Sequence, residues 1–437
     1  MVNRREFLGA IVIPTATAAV AGGVLLSPTR SRRAAAALKH MAAASGSPEA
    51  VARDEDLWFE VGQAFAVDRS IINLNNGGVS PSPRSVVSAL ERHIEFSNNA
   101  PAYYMWNVLE PQRETVRDRL ATAFGCEKEE LALTRNASES LQICQCGLPL
   151  QRGDEVLTTT QDYPRMITAF KQLERRAGIA LKQFKIPVPC EDPSEIVQLF
   201  EKNITPKTRM ILVSHVINLT GQIMPVRDVA ALGRKHNIPV VVDGAHAIAH
   251  LDFKLSDLEC DYYGASLHKW LCAPIGTGLL YVRRDKIEGL WPLMASEKKQ
   301  DADIRKFEEI GTHPAANYLG IAEALTFHQG IGSARKLARL TYLRNYWADR
   351  LAKNDRVRLH TSLKPGCASG LGNIQIDGID TAKLYDWLWR EHRIYTTAII
   401  HDEFNGLRIS PSIYTQLPEL DRFCDKMEIA IKNGLPA

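Results

Sequence analysis

Two side chains suited to acid–base chemistry stand near the middle of the chain, 26 residues apart (269 − 243). Asp243 ends the apolar run "IPVVVD", and Lys269 ends "DYYGASLHK". A carboxylate at the end of a buried strand is costly unless a cation pairs with it. A lysine whose charge is disfavoured by burial can act as nucleophile and base near neutral pH. Each residue alone could be an ordinary turn residue, but together they predict a reactive amine beside a counter-ion for a buried cation such as a protonated ring nitrogen.

Further polar side chains follow other predicted strands. Asn136 and Ser138 stand at the start of a predicted helix, where they could cap the helix or help to bind an anion. Tyr163 follows its own strand and could lie flat over a heteroaromatic ring, although an ordinary turn tyrosine fits as well. His246 and His268 flank the Asp243–Lys269 region. The gathering of such groups after several strands is typical of a site rather than of a core.

The elements that must position these residues alternate between strands and helices. Near-continuous apolar runs predict seven strands, over 129–135, 154–160, 179–187, 208–216, 238–246, 260–268 and 277–284. Helical spacing predicts helices between them, over 138–150, 163–178, 193–205 and 226–237. This order predicts an α/β fold with a mostly parallel sheet covered on both faces. Ligands bind beyond the carboxyl ends of such strands, which is where the polar side chains fall.

The pattern changes after residue 318, where long helices and then two short strand-like runs predict a smaller α+β domain. We therefore predict a large domain over 68–318 and a small domain formed by 46–67 and 319–437. The segment "NAPAYYMWN" (99–107) is dense in aromatic residues and could form either a substrate wall or a dimer interface.

The N-terminus has the order of an export signal. Arg4 and Arg5 precede Phe7 and Leu8, and an apolar run over 9–26 leads into a basic, alanine-rich stretch. The arginine pair predicts a twin-arginine signal, hence recognition by the twin-arginine export machinery and a periplasmic location. A retained membrane anchor is the alternative, because the run is nearly long enough to span a bilayer. We assigned residues 1–45 to this signal and its linker.

Composition is ordinary for a soluble enzyme. The 437 residues carry a net charge of +3, with 24% charged and 45% hydrophobic residues. After the first forty residues, the sequence has no stripe of basic residues interleaved with aromatic residues, so it does not predict a nucleic-acid surface. The eight cysteines are scattered and show no disulfide framework or metal-ligand spacing, so we expect no metal site.

Several of these segments together resemble one known family. "DGAH" followed by "SLHKW" and "GTGLLYVR", with "SHVINLTGQIMPV", "NLNNGGVSPSPRSV" and "EEIGTHPAAN", is similar to the class V aminotransferases, which are fold-type-I pyridoxal-5′-phosphate enzymes. The branch that resembles this chain most is isopenicillin N epimerase-like and related to the cysteine desulfurases. The likeness runs from about residue 70 to 430. It implies a large domain with a mostly parallel seven-stranded sheet and a smaller α+β C-terminal domain.

The resemblance also implies a cofactor, pyridoxal 5′-phosphate, and roles for individual residues. Lys269 would form a Schiff base with the cofactor and Asp243 would hold its ring nitrogen, so both are the predicted catalytic residues. The implied cofactor-binding set is Ala137, Ser138, Glu139, Tyr163, Asn218, Asp243, His246, Ser266, His268, Lys269, Gly311 and Thr312. Thr312 would reach the phosphate of a neighbouring subunit, which implies a homodimer. Arg408 and Asn76 are the predicted substrate-binding residues, and Arg408 would bind a carboxylate.

The implied function is chemistry at the α-carbon of an amino acid or an amino-acid-containing metabolite, of epimerase or aminotransferase type. Ile217 departs from the family pattern, because relatives place an asparagine there; Asn218 follows it. The loop at 393–408 lacks the cysteine that desulfurases need, and Cys367 lies earlier. The alternatives left open are a cysteine desulfurase or selenocysteine lyase, a periplasmic siderophore-tailoring enzyme, and a non-catalytic protein that binds the cofactor.

Overall fold

A computed structural model describes residues 28–436 of the chain. Its α-helices are α1 (Pro28–Ala43), α2 (Pro48–Val51), α3 (Glu55–Gly62), α4 (Arg84–Asn98), α5 (Pro101–Tyr103), α6 (Arg113–Phe124), α7 (Ala137–Gly147), α8 (Pro164–Ala177), α9 (Pro193–Asn203), α10 (Val226–Lys235), α11 (Leu255–Leu258), α12 (Ala315–Ile331), α13 (Ser333–Leu351), α14 (Thr381–His392) and α15 (Leu417–Asn433). A π-helical turn at Tyr104–Leu109 continues α5.

The strands are β1 (Ile72–Asn73), β2 (Leu131–Thr134), β3 (Glu155–Thr159), β4 (Ala180–Phe184), β5 (Thr208–Ser214), β6 (Val240–Asp243), β7 (Tyr262–Ser266), β8 (Gly278–Val282), β9 (Val357–Leu359), β10 (Gly372–Ile376), β11 (Ile394–Tyr395), β12 (Thr397–Ile400) and β13 (Asn405–Ile409). The seven strands predicted between residues 129 and 284 are β2 to β8, and the four helices predicted between them are α7 to α10. These predictions are confirmed.

The central sheet has seven strands in the order β2-β8-β7-β6-β5-β3-β4. Only β8 runs antiparallel to its neighbours; the other pairs are parallel. Every residue of β2, β3, β6, β7 and β8 is buried, which is why these segments read as unbroken apolar runs rather than as alternating ones. The predicted α/β fold with a mostly parallel seven-stranded sheet is confirmed.

The carboxyl ends of the parallel strands bring the predicted site residues to one edge of the sheet. β6 ends at Asp243, and the chain turns at Gly244. A Cβ atom on Gly244 would lie 1.9 Å from the ring of Tyr263, so only glycine allows this turn against β7. The next strand, β7, ends at Ser266, three residues before Lys269.

The C-terminal part forms a separate antiparallel sheet in the order β12-β13-β10-β9, packed with α13, α14 and α15. The predicted smaller α+β unit is confirmed, and the limits of the two domains stay a prediction. β1 pairs in parallel with β11, so the segment after residue 72 joins this C-terminal part. The sequence interpretation did not include α15, although its buried residues recur with helical spacing at Leu420, Phe423, Cys424 and Met427.

Helix α1 shows that part of the assigned export segment belongs to the folded body. Ala37 and Met41 are fully buried, and Arg335 donates hydrogen bonds to the carbonyls of Met41 (2.8 Å) and Ala44 (3.0 Å). Residues 37–44 thus pack on the rest of the protein, and the limit of the signal and its linker at residue 45 stays a prediction. The arginine pair and the whole apolar run lie outside the described residues. Within residues 28–436, no helix combines the length and apolarity needed to cross a membrane.

Candidate active site

A cavity of about 440 Å³ opens at the carboxyl edge of the central sheet. It is bounded by the ends of β5, β6 and β7, by the starts of α7 and α8, and by β13. Ten of the predicted site residues line it: Ala137, Ser138, Tyr163, Asn218, Asp243, His246, Ser266, His268, Lys269 and Arg408. Residues from both sheets therefore meet in one place.

The amine of Lys269 is held by His246. Its Nζ lies 3.0 Å from Nε2 of His246, and the indole N–H of Trp270 donates to Nδ1 of the same ring at 3.4 Å. Because an indole nitrogen can only donate, Nδ1 must accept, and the proton of a neutral His246 ring is on Nε2. In this tautomer Nε2 can donate to the amine of Lys269 when that amine is uncharged.

The electrostatics of the cavity favour a neutral His246 and bring the uncharged form of Lys269 within reach near neutral pH. Burial lowers the pKa of Lys269 to about 8; Asp243 opposes this shift and the Arg408 guanidinium adds to it. Burial also lowers the pKa of His246 well below its usual value, and the positive charges of Lys269 and Arg408 lower it further. A neutral histidine beside a partly neutral lysine is what a base at neutral pH requires.

Asp243 provides a negative charge without a partner of its own. It is 6% exposed, and its Oδ1 accepts the backbone N–H of Ala245 at 3.0 Å. Burial raises its pKa to about 6, an effect that this hydrogen bond and the charge of Lys269 only partly offset. No side chain of residues 35–436 forms an ion pair with it. A buried carboxylate with a free oxygen facing a cavity fits the protonated ring nitrogen of pyridoxal phosphate.

The start of α7 fits the phosphate group. Oγ of Ser266 accepts the N–H of Ala137 at 3.0 Å, and Asn136 caps the helix by accepting the N–H of Glu139 at 2.9 Å. The backbone N–H and hydroxyl of Ser138 have no partner among the described residues and face the cavity. Free donors at the positive end of a helix form an anion site. His268 lies beside them and donates from Nδ1 to the carbonyl of Thr277 at 3.2 Å.

Arg408 is a buried cation with only neutral partners. It is 6% exposed, and its guanidinium donates to Oδ1 of Asn75 at 2.7 Å, Oγ1 of Thr397 at 3.3 Å and the carbonyl of Asn218 at 3.2 Å. Burial lowers its pKa to about 10. Its Nε has no partner in the described part of the chain. A guanidinium placed so is suited to bind a carboxylate group of a ligand.

Two of the predicted residues point away from the cavity. The side chain of Glu139 forms an ion pair with Arg135, one helical turn back, at 2.7 Å. Asn76 is 0% exposed; its amide donates to the carbonyls of Asn73 and Ser410, and its Oδ1 accepts the hydroxyl of Tyr414 at 2.6 Å. All its polar atoms are used inside the protein and it does not line the cavity, so a contact of Asn76 with substrate stays a prediction.

Gly311 and Thr312 are also outside this cavity of their own chain. Both are exposed and line a second depression with Trp106 and Arg113. A role of Thr312 at the phosphate of a neighbouring subunit stays a prediction.

The sequence interpretation missed four residues at the site. Asn75 binds Arg408, and Gly77, Gly78 and Arg165 line the cavity. Asn75, Gly77 and Gly78 lie in "NLNNGG", the segment from which the sequence predicts Asn76 as the substrate-binding residue. The signal for Arg165 was its place two residues after Tyr163, at the start of a helix that follows a strand.

Comparison with known proteins gives the same picture. The sequence model described as "Aminotransferase class-V" matches residues 72–423. Isopenicillin N epimerase of Streptomyces clavuligerus is 30% identical over 391 residues, which covers 85% of this chain and 98% of the relative. The cysteine desulfurase of Haloferax volcanii is 24% identical and covers 82% of this chain and 89% of the relative.

Solved structures show the same fold. The cysteine desulfurase CsdA of Escherichia coli superposes with a TM-score of 0.73 at 21% identity, covering 84% of this chain and 97% of that one. The C-DES protein, solved with glycine covalently linked to its PLP cofactor, superposes with a TM-score of 0.72 at 23% identity, covering 82% of this chain and 96% of that one.

Proposed function

Because the chain belongs to the class V aminotransferase family, we propose that it is a pyridoxal-phosphate enzyme that acts at the α-carbon of an amino acid or an amino-acid-containing metabolite. One observation carries the proposal. A buried amine with a lowered pKa (Lys269), a buried carboxylate without an ion-pair partner (Asp243) and a helix N-terminus with free donors line a single cavity. These are the three groups that the cofactor's aldehyde, ring nitrogen and phosphate require.

The residues that would hold the cofactor follow from this arrangement. Ala137, Ser138, Ser266 and His268 would bind the phosphate, and Asp243 would keep the ring nitrogen protonated. Tyr163 lines the same cavity and would cover a face of the ring. Asn218 lines the cavity, and its Oδ1 is buried without a partner among the described residues, so its amide group is available to a bound ligand.

When bound, the cofactor withdraws electrons from the substrate α-carbon and weakens the bonds to that atom. Arg408 would hold the substrate carboxylate and so fix which bond faces the base. The uncharged amine of Lys269 would then accept the α-proton, while Nε2 of His246 keeps the amine in place. Return of the proton to the same carbon gives epimerisation or exchange, and its transfer to another atom gives transamination.

Exchange of the α-proton tests the proposal directly. We expect the purified protein to be yellow and to incorporate deuterium from D₂O at Cα of at least one amino acid in a panel of L- and D-forms. Mass spectrometry of the recovered amino acids measures the exchange and identifies any keto or epimerised product. A protein that binds the cofactor but exchanges no α-proton in the whole panel would be a non-catalytic binder, and the proposal would be wrong.

Desulfurase chemistry through Cys367 is disfavoured. Cys367 is buried, and its Sγ donates to the carbonyl of Glu191 at 3.8 Å. No cysteine lines the active-site cavity formed by the described residues. The attacking thiolate would therefore have to come from a large movement of the loop at 364–368.

The pKa of Lys269 predicts how cofactor capture depends on pH. Because burial lowers this pKa to about 8, the fraction of uncharged amine rises about tenfold per pH unit below pH 8 and levels off above it. We expect the rate at which the cofactor-free protein takes up pyridoxal phosphate to follow that curve between pH 7 and 10, measured by stopped-flow absorbance. A rate that still rises at pH 10 would indicate an ordinary lysine.

We propose that the active form is a homodimer. Ile94, Phe96, Tyr103 and Trp106 form an exposed apolar face; the Phe96 and Tyr104 rings lie 4.4 Å apart, and Tyr103 and Trp106 are 60% and 56% exposed. Contiguous apolar surface of this kind is typical of a protein interface. Trp106 shares its depression with Thr312, which supports a role for Thr312 in the cofactor site of a neighbouring subunit.

Replacing Trp106 by aspartate is expected to convert a dimer into a monomer in sedimentation and to weaken cofactor binding about tenfold or more, because the phosphate loses Thr312 of the other subunit. Ile429→Asp, on α15 and also exposed, is the matched control and should leave both unchanged. A wild-type protein that is fully active as a monomer would contradict the proposal.

We also propose export through the twin-arginine route, supported by Arg4-Arg5 ahead of Phe7-Leu8. N-terminal sequencing of the protein from a periplasmic fraction should find the arginine pair removed. Cytosolic protein that begins at residue 1 would contradict export.

A further inference from the structure

A second arginine lines the active-site cavity. Arg165 is the second residue of α8 and faces the cavity next to Tyr163. It is exposed and makes no hydrogen bond or ion pair with any residue between 28 and 436. Arg408 reaches the same cavity from the C-terminal sheet, so two guanidinium groups approach it from different parts of the fold.

The local position of Arg165 strengthens its attraction for anions. Helix α8 has 14 residues, no side-chain cap and no acidic residue in its first turn. The positive end of the helix dipole and the charge of Arg165 therefore add, where a cation alone is electrostatically unfavourable. Arg165 forms no ion pair with a carboxylate of residues 35–436.

The other charged groups of the cavity already have partners under the proposed function. The start of α7 takes the phosphate, Asp243 takes the ring nitrogen, and Arg408, 6% exposed with an unpartnered Nε, takes the substrate α-carboxylate. Asp243 is the sole acidic residue that lines the cavity in the described structure. Under the proposed function, Arg165 is thus the charged residue at the edge of the cavity to which no group of the cofactor and no α-carboxylate is assigned.

We propose that the substrate bears a second carboxylate and that Arg165 binds it. This rests on the proposed function and narrows its substrates to acidic amino acids or conjugates that place a carboxylate beyond the reacting carbon. The planar guanidinium matches a carboxylate with two parallel hydrogen bonds. Neutral side chains of the same shape would leave Arg165 unpaired and gain no such contact.

Glutamate and glutamine form a matched pair of probes, because they have nearly the same shape and differ in the distal charge. Deuterium exchange at Cα is measured for the L- and D-forms of both, and for 2-aminoadipate as a longer acidic probe. We expect kcat/KM for an acidic probe to exceed that for glutamine. In Arg165→Gln, KM for the acidic probe should rise about tenfold with little change in kcat, while the values for glutamine stay unchanged.

Two variants separate a binding role from a structural one. Arg165→Lys keeps the positive charge but loses the planar guanidinium that can form two parallel hydrogen bonds. It should therefore retain part of the preference for the acidic probe over glutamine that Arg165→Gln loses. Arg175→Gln, at the exposed far end of α8, should change nothing. Raising the salt concentration should weaken binding of the acidic probe more than binding of glutamine, because the contact at the exposed Arg165 is screened more than the one at the buried Arg408.

The outcomes are distinguishable from those of the proposed function. Exchange of glutamine as efficient as that of every acidic probe, or an equal loss for both in Arg165→Gln, overturns this inference and leaves the proposed function standing. No exchange with any amino acid overturns the proposed function, and this inference with it.

Discussion

Replacing Lys269 by alanine is expected to abolish the covalent attachment of the cofactor and to lower the rate of α-proton exchange by about 10⁴-fold or more, the upper range for a positioned base. The physical reason is that one amine does two things: it bonds to the aldehyde and it accepts the proton. Its neighbours His246 and Asp243 cannot take over, because His246 is held between Lys269 and Trp270, and Asp243 lies on the counter-ion position.

Borohydride reduction followed by peptide mass spectrometry checks the attachment. The wild-type protein should carry the reduced adduct on the peptide that contains residue 269, and Lys269→Ala should carry none. Lys171→Ala, an exposed lysine of α8, is the matched control and should be labelled at residue 269 as in the wild type. An adduct that persists on another lysine in Lys269→Ala would show that the reactive amine was assigned wrongly.

Asp243→Asn is expected to have opposite effects on function and stability. The neutral amide cannot hold a protonated ring nitrogen, and loss of one partner of a buried ion pair costs about 3–5 kcal/mol. We therefore expect a loss of about 10²- to 10³-fold in exchange rate, together with a shift in the absorbance of the bound cofactor. Rate measurements at saturating cofactor separate this loss from weaker cofactor binding.

The cofactor-free protein should respond in the other direction. Because the pKa of Asp243 in the folded protein is raised from 3.8 to about 6, the folded state binds more protons than the unfolded state between these values, and the stability of the folded state falls as the pH rises through them. Above pH 6 the penalty is complete, at about 3 kcal/mol at most for a shift of about two units. Asp243→Asn removes it.

Urea unfolding of the cofactor-free proteins measures this difference. At pH 7, Asp243→Asn should be the more stable protein, and the difference should shrink at pH 4.5. Asp162→Asn is the contrasting variant. Asp162 is also buried, but it accepts hydrogen bonds from the backbone N–H groups of Thr159 and Ser214, both at 2.9 Å. We therefore expect Asp162→Asn to destabilise the protein. If cofactor-free Asp243→Asn is less stable than the cofactor-free wild type at every pH, burial of the charged Asp243 carboxylate does not destabilise the protein.

The sequence was sufficient to predict the central sheet, because its strands are buried on both faces and read as apolar runs. Lys269 and Asp243, which follow or end buried strands, and Arg408, which the family resemblance implied, line one cavity, and their roles there stay predictions. The sequence was less informative for α15, whose helical spacing was present but not used. The two-residue strands β1 and β11 are too short for any periodicity to predict them.

Side-chain direction was the main limit within the site. In an extended segment, neighbouring residues point to opposite sides, so Asn75 contacts Arg408 while Asn76 is turned into the protein. At the start of α7 successive residues turn about the helix axis, so Ser138 faces the cavity and Glu139 reaches back to Arg135. A motif identifies the segment, whereas tertiary packing decides which of two adjacent residues reaches the ligand.

Two hydrogen bonds tie the segment that follows β1 to the end of β13: the N–H of Gly77 donates to Oγ of Ser410 at 3.0 Å, and Arg408 donates to Oδ1 of Asn75 at 2.7 Å. The residues that would bind the substrate carboxylate thus form one connected unit. The residues that would bind the cofactor lie elsewhere, at the strand ends of the central sheet. A substitution that displaces Asn75 should therefore disturb Arg408 and leave in place the hydrogen bond of Ser266 to Ala137 at the other side of the cavity.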